Sequence, residues 1–148
     1  MYSKLLKLRE FQADFKKGDE PSANVCRFSS DNSLIATGGD DCTVRVFKLD
    51  PSKGFKTEEN EPELRAILTL EGHFEPVNCV DFSPDSKLLI SSSTDCSCFI
   101  FNCDLTSKTK GQRLHKLTFG DGLLDSKNLL MRGCFFAKDG RSVFTLGT

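Results

Sequence analysis

A few clusters of side chains in this sequence are of types that could do chemistry. His73, Phe74 and Glu75 spell the H-x-E half of a zinc deaminase signature, in which histidine holds the metal and glutamate moves the proton. That chemistry needs a P-C-x-x-C partner, and no two cysteines of the chain stand in that spacing. His73 is therefore expected to serve structure. Cys96, Cys98 and Cys103 could be imagined as thiolate ligands, but cysteine in a strand usually acts as a small buried hydrophobe. Gly38 and Gly39 lack the glycine spacing and the following Lys-Ser/Thr of a phosphate-cradling loop, and read as a strand end and turn. Lys108, Lys110, Arg113, His115 and Lys116 form a basic cluster, and Glu58, Glu59, Glu61 and Glu63 an acidic loop; both read as solvated faces. No nucleophile and base pair stands out, so bond-making chemistry is not expected.

Composition points the same way. The 148 residues carry 20 Lys and Arg against 21 Asp and Glu, a net charge of −1 that gives no electrostatic footprint for nucleic acid. With 38% hydrophobic residues the chain can build a packed core. The seven cysteines make an odd count, so reduced thiols are expected rather than a disulfide framework or a zinc ribbon. The amino terminus has basic residues but no apolar stretch of signal-peptide length, and no run approaches the ~20 apolar residues of a membrane span.

The elements that must position these residues come from an internal repeat. Asn24 to Leu49 lies over Asn78 to Cys103 without a gap, a shift of 54 residues. The identical pairs are Asn24/Asn78, Phe28/Phe82, Ser29/Ser83, Asp31/Asp85, Leu34/Leu88, Asp41/Asp95, Cys42/Cys96 and Phe47/Phe101. A second shift of 54 sets Phe136 on Phe28 and Phe82, and Asp139 on Asp31 and Asp85. Each copy reads as strand, turn, strand, turn, strand: VCRF, LIATGG and TVRVF in the first, CVDF, LLISSS and SCFIF in the second, and GCFF opening a third. Fourth strands are expected at Leu64 to Leu70 and Gln112 to Phe119, and Phe28, Phe82 and Phe136 are expected to be buried equivalents. Cys42 and Cys96 occupy turn positions where glycine is usual, which predicts some backbone strain. Four antiparallel strands per unit is the pattern of a propeller blade.

ATGGDDCTVRVF and LEGHFEPVNCVDFSPDSKLLISSSTD resemble segments of WD-repeat blades. The resemblance implies an all-β fold: a partial WD-repeat β-propeller of about two and a half four-stranded antiparallel blades. The divisions expected are residues 12–70 for the first blade, 71–119 for the second and 120–148 for a partial third. In that family a His after Gly, a Ser or Thr on the second strand, an Asp in the second turn and a Trp on the third strand form a buried hydrogen-bonded chain. By resemblance, His73, Ser91 and Asp95 take these places in the second copy, and Thr37 and Asp41 in the first. Phe101 and Phe47 stand where the family has Trp, and no Gly-His precedes the first copy, so apolar packing is expected to carry more of the load.

A narrower resemblance covers most of the chain. FQADFKKGDEPSANVCRFSSDNSLIATGGDDCTVRVFKL and LLMRGCFFAKDGRSVFTLGT are similar to blades of the Sec-twelve family, to which the prolactin regulatory element-binding proteins belong. The resemblance implies a fragment of a guanine-nucleotide exchange factor for the small GTPase Sar. Such proteins act in COPII vesicle formation on the cytosolic face of the endoplasmic reticulum membrane. Exchange is by binding, without bond chemistry. The family's glycine-rich exchange loop, which holds potassium, is a longer excursion than the matching GGDDC turn. That loop, its ion and the membrane helix are therefore expected outside this chain, which is expected to be inactive by itself. Without the Sar assignment, the same repeats would serve a general WD-repeat interaction scaffold.

Overall fold

The computed structural model describes residues 22–49, 66–118 and 130–147. Four strands form the first sheet: β1 (Ala23–Phe28), β2 (Leu34–Gly39), β3 (Val44–Lys48) and β4 (Ala66–Leu70). The second contains β5 (Val77–Phe82), β6 (Leu88–Ser93), β7 (Ser97–Asn102) and β8 (Arg113–Thr118). The third pairs β9 (Met131–Phe136) with β10 (Val143–Gly147). Every pairing is antiparallel between strands adjacent in sequence. This is the architecture of a partial propeller, with two complete blades and the first half of a third. The fourth strands expected near Leu64 and Gln112 are present as β4 and β8, while Leu64, Arg65 and Phe119 lie outside the described residues. Residues 12–21, 50–63 and 120–129 also lie outside, including the acidic loop with Glu58, Glu59, Glu61 and Glu63.

The repeat extends to backbone irregularities that sequence alone does not display. Register slips between Ala23 and Val25 in the first blade and between Val77 and Cys79 in the second. It slips again between Val46 and Phe47, and at the matching step between Ile100 and Phe101. In the first turn of each unit one residue adopts the left-handed conformation: Asn32 (φ 58°), Ser86 (φ 61°) and Gly140 (φ 67°). The preceding aspartate stabilises the turn. Asp31, Asp85 and Asp139 each accept a backbone N–H two residues on, at 3.1, 3.1 and 2.9 Å, which is an Asx turn. The strain expected at Cys42 and Cys96 is also there, at φ 62° and 63°.

β2 and β6 are almost wholly buried because each is an inner strand with another sheet against its face. Between the first and second blades lies a cluster including Leu34, Val44, Val46, Leu70, Val77, Val80, Phe82 and Phe99. A smaller one of Cys79, Ile90, Cys98, Met131 and Cys134 joins the second to the third. Each seam is latched by one asparagine. Asn24 donates to the Val77 carbonyl at 3.4 Å, and Asn78, its repeat partner, to the Met131 carbonyl at 2.8 Å.

One expectation fails. Phe82 is 5% exposed and Phe136 half-buried, but Phe28 is 50% exposed. Phe82 fills the seam that the first blade closes over it, whereas no described element covers the matching face of β1. Equivalence in the repeat fixes where a side chain points, and burial requires a neighbour on that side.

Candidate functional site

His73 follows Gly72 in the connection from β4 to β5, and the backbone there explains the dipeptide. Gly72 has φ 133°, in the region that favours glycine, and a Cβ on it would come within 3.1 Å of both the Phe99 ring and the Arg113 guanidinium. The imidazole that follows is buried and lies flat on Phe99, with ring centroids 4.1 Å apart and an 11° angle between planes. Phe101, at the family's Trp position, meets Phe99 edge-on at 6.0 Å.

Both ring nitrogens are engaged. Nδ1–H donates to Asp95 Oδ2 at 2.9 Å, so Nε2 is the acceptor and receives a hydrogen bond from the Ser91 hydroxyl at 2.8 Å. Asp95, in the turn between β6 and β7, is saturated. Its Oδ2 also accepts the Phe74 N–H at 3.1 Å, while Oδ1 accepts the Ser97 N–H at 2.9 Å and the Ser97 hydroxyl at 2.6 Å. Burial, the largest influence on Asp95, raises its pKa, but the bonds from Ser97, His73 and Phe74 together hold it below the usual carboxylate value. Burial also dominates at His73 and disfavours the imidazolium; Asp95 opposes this, and Lys116 and Arg113 reinforce it. The site is therefore a neutral histidine between a hydroxyl donor and an ionised carboxylate. A general base needs a free lone pair aimed at substrate, and this imidazole has committed both nitrogens within the blade.

The structure thus brings His73, Ser91 and Asp95 together. It does not do the same for Thr37 and Asp41. No hydrogen bond joins them: Asp41 receives the Thr43 N–H at 3.2 Å and hydroxyl at 2.9 Å, and pairs with the Arg45 guanidinium at 2.6 Å. Arg45 stands one repeat before Phe99. Where the second blade stacks an imidazole on a ring, the first brings a cation to the turn carboxylate, because no histidine arrives there to bridge Thr37 to it. Sequence reasoning missed this substitution, although Arg45 opposite Phe99 was visible in the repeat.

The remaining candidates are structural. Gly38, next to last in β2, lies against the first seam, and a Cβ there would come within 2.5 Å of Val77 Cγ1. Cys98 and Cys103 are buried hydrophobes whose thiols burial pushes up to about 12. Among the described residues no group of His, Cys, Asp and Glu is placed to hold a metal. Lys108, Lys110, Arg113, His115 and Lys116 are exposed, with the Arg113 guanidinium 4.7 Å and the Lys116 ammonium 5.7 Å from the Phe99 ring centre. Phe74, the middle residue of the H-x-E triplet, is 81% exposed and lies in a short connection that also carries exposed Glu71 and Glu75. Among the described residues, no helix is long and apolar enough to cross a membrane.

Comparison with known proteins agrees with this geometry. Residues 15–48 and 64–102 match the family described as WD domain, G-beta repeat. One subunit of mouse chromatin assembly factor 1 is 31% identical over 102 residues, covering 63% of this chain and 17% of that protein. Cleavage stimulation factor subunit 50 of Arabidopsis thaliana is 35% identical over 91 residues, covering 62% and 20%. Mouse guanine nucleotide-exchange factor SEC12 is 34% identical over 86 residues, covering 58% and 17%. The chain thus spans a fifth or less of the length of these three relatives. The β-propeller domain of Cps50 (Swd1) from Myceliophteria thermophila superimposes with a TM-score of 0.57 at 16% identity, covering 77% of this chain and 27% of that one. That likeness is one of fold.

Proposed function

Starting from a WD-repeat chain folded as successive propeller blades, we propose that it acts by binding, as a segment of a guanine-nucleotide exchange factor for Sar. The parent would act on the cytosolic face of the endoplasmic reticulum membrane in COPII vesicle formation. The observation that carries the binding mechanism is the saturation of His73 and Asp95. The histidine and carboxylate most suggestive of catalysis spend their hydrogen bonds on one another and on Ser91, Ser97 and Phe74. What the second blade offers a partner is its connections, with Phe74 foremost: a large exposed aromatic beside carboxylates is the kind of residue that anchors protein interfaces. The similarity to SEC12, a guanine nucleotide-exchange factor by its description, supports an exchange role, which needs no nucleophile, and the resemblance of the blades to the Sec-twelve family is what suggests Sar as the partner.

The test is retention of this chain on immobilised GDP-bound Sar, with an unrelated small GTPase as control, alongside a nucleotide-release assay. Retention on Sar that falls at least tenfold with Phe74→Ser supports the reading. Release should match the protein-free control, because the resemblance assigns the exchange loop to a blade outside this chain. Equal retention on both GTPases, or on neither, would sink the Sar assignment and leave a second reading. The comparable identity to the chromatin assembly factor 1 protein and to cleavage stimulation factor subunit 50 favours that second reading, a general interaction scaffold.

A further inference from the structure

The two seams differ at one pair of facing positions. In the first, Val25 of β1 and Val80 of β5 belong to the same apolar cluster. One repeat further on, those positions are Cys79 of β5 and Cys134 of β9. Each thiol reaches across to the other strand. The Cys79 S–H donates to the Cys134 carbonyl at 3.5 Å, and the Cys134 S–H lies 3.6 Å from the Cys79 carbonyl. Both side chains belong to the buried cluster that joins the second sheet to the third. By contrast, Cys42 and Cys96 turn their thiols onto carbonyls two residues back in their own turns. Opposite Cys79 in the β5–β6 ladder is Ser92, whose hydroxyl is fully buried and has no hydrogen-bond partner among the described residues. A paired change from valine to cysteine at facing positions, with both thiols aimed across the same seam, is more than packing requires.

We propose that Cys79 and Cys134 are a dithiol that a peroxide oxidises to a disulfide, stapling the second blade to the third. Cys79 keeps 6% of its surface exposed and Cys134 none, so Cys79 meets the oxidant first. The thiol loses its proton, the thiolate attacks one peroxide oxygen, the O–O bond breaks, and a sulfenic acid forms as the departing hydroxide takes up that proton and leaves as water. The Cys134 sulfur then attacks the sulfenic sulfur, the S–S bond forms, and its proton departs with the displaced hydroxyl as a second water. The two thiols have lost two electrons, and the peroxide has been reduced to water. The Cys134 thiol is the largest influence lowering Cys79 below the ordinary thiol value, with burial opposing and Arg27 assisting, in keeping with Cys79 as the attacking sulfur. Cys98, on β7 nearby, is pushed up to about 12 chiefly by burial and stays a protonated bystander.

The experiment treats the full chain with hydrogen peroxide, alkylates the remaining thiols, and maps the digest by mass spectrometry. One cross-link is expected, between the Cys79 and Cys134 peptides and two hydrogens lighter than their sum. The thermal midpoint should rise by several degrees, since the bond closes a long loop. A chain carrying Cys79→Val and Cys134→Val reproduces the first seam's residues. It should fold with the midpoint of the reduced protein and show no rise with peroxide. The proposal is overturned if both cysteines remain alkylatable after treatment. It also fails if cross-links spread over the seven cysteines as in a guanidinium-unfolded control, or if the double variant keeps the peroxide-induced rise.

Discussion

Two adjacent serines on β6, both fully buried, separate a polar group that stabilises from one that does not. Ser91 donates the hydrogen bond that His73 Nε2 accepts, so Ser91→Ala strands a buried lone pair and is expected to cost about 1–3 kcal/mol. Ser92 has no ordinary partner to lose, so Ser92→Ala should be neutral or slightly stabilising in the same denaturant titration. His73→Ala should also cost about 1–3 kcal/mol, at the lower end because no indole extends the chain past Ser91. The pH dependence has a definite sign. Burial depresses His73 below its ordinary 6.5, so the unfolded chain binds the proton more readily than the folded one. This contribution is complete above pH 6.5 and is lost as pH falls through the window between that value and the lower folded one. The thermal midpoint of the wild type should therefore drop on acidification below that value. Its difference from His73→Ala should shrink over the same range; a gap that stays constant would show that the imidazole is not buried neutral.

Within elements, the connections carry constraints that strands do not. Gly72 combines a positive φ with contact distance to Phe99, so Gly72→Ala is expected to cost about 1–3 kcal/mol through backbone strain. The Asx turns act at lower pH. Bonds from Ser29, first of all, and from Ser33 hold Asp31 down to about 2, and the carboxyls of Asp85 and Asp139 are lowered by equivalent turn bonds. Their stabilisation is present above the ordinary carboxylate value of 3.8 and lost as pH falls toward 2. All three are exposed, so solvent screening keeps each contribution small. Replacing the three aspartates by asparagine should flatten the acid limb of the stability curve below about pH 4, read by circular dichroism, while leaving the His73 window untouched.

At the scale of the whole molecule, the faces that no described element covers are apolar. Phe28 is 50%, Phe144 63% and Leu146 60% exposed, on the first and third sheets. Blades are stabilised by packing against neighbours, and the inner seam shows that Phe82, equivalent to Phe28, belongs under a blade. The chain alone should therefore self-associate, with a light-scattering mass that rises with concentration, and Phe28→Ser together with Phe144→Ser should return it toward monomer. A mass independent of concentration, and equal to 16.5 kDa, would refute this.

The sequence by itself determined the strands, their order and the turn residues, because these depend on local alternation and on backbone preferences that repeat at each shift of 54 residues. It also contained His73, Ser91 and Asp95, whose spacing follows the blade. Tertiary structure decided the rest. Phe28 and Phe82 are the same residue in the same register, yet only a neighbouring sheet buries one of them. Thr37 and Asp41 match the motif but are not joined, since the joining histidine must come from a preceding connection and Arg45 takes the carboxylate instead. Cys79 and Cys134 give no spacing signal, because a seam between sheets, formed by packing rather than by sequence period, is what brings the two thiols face to face.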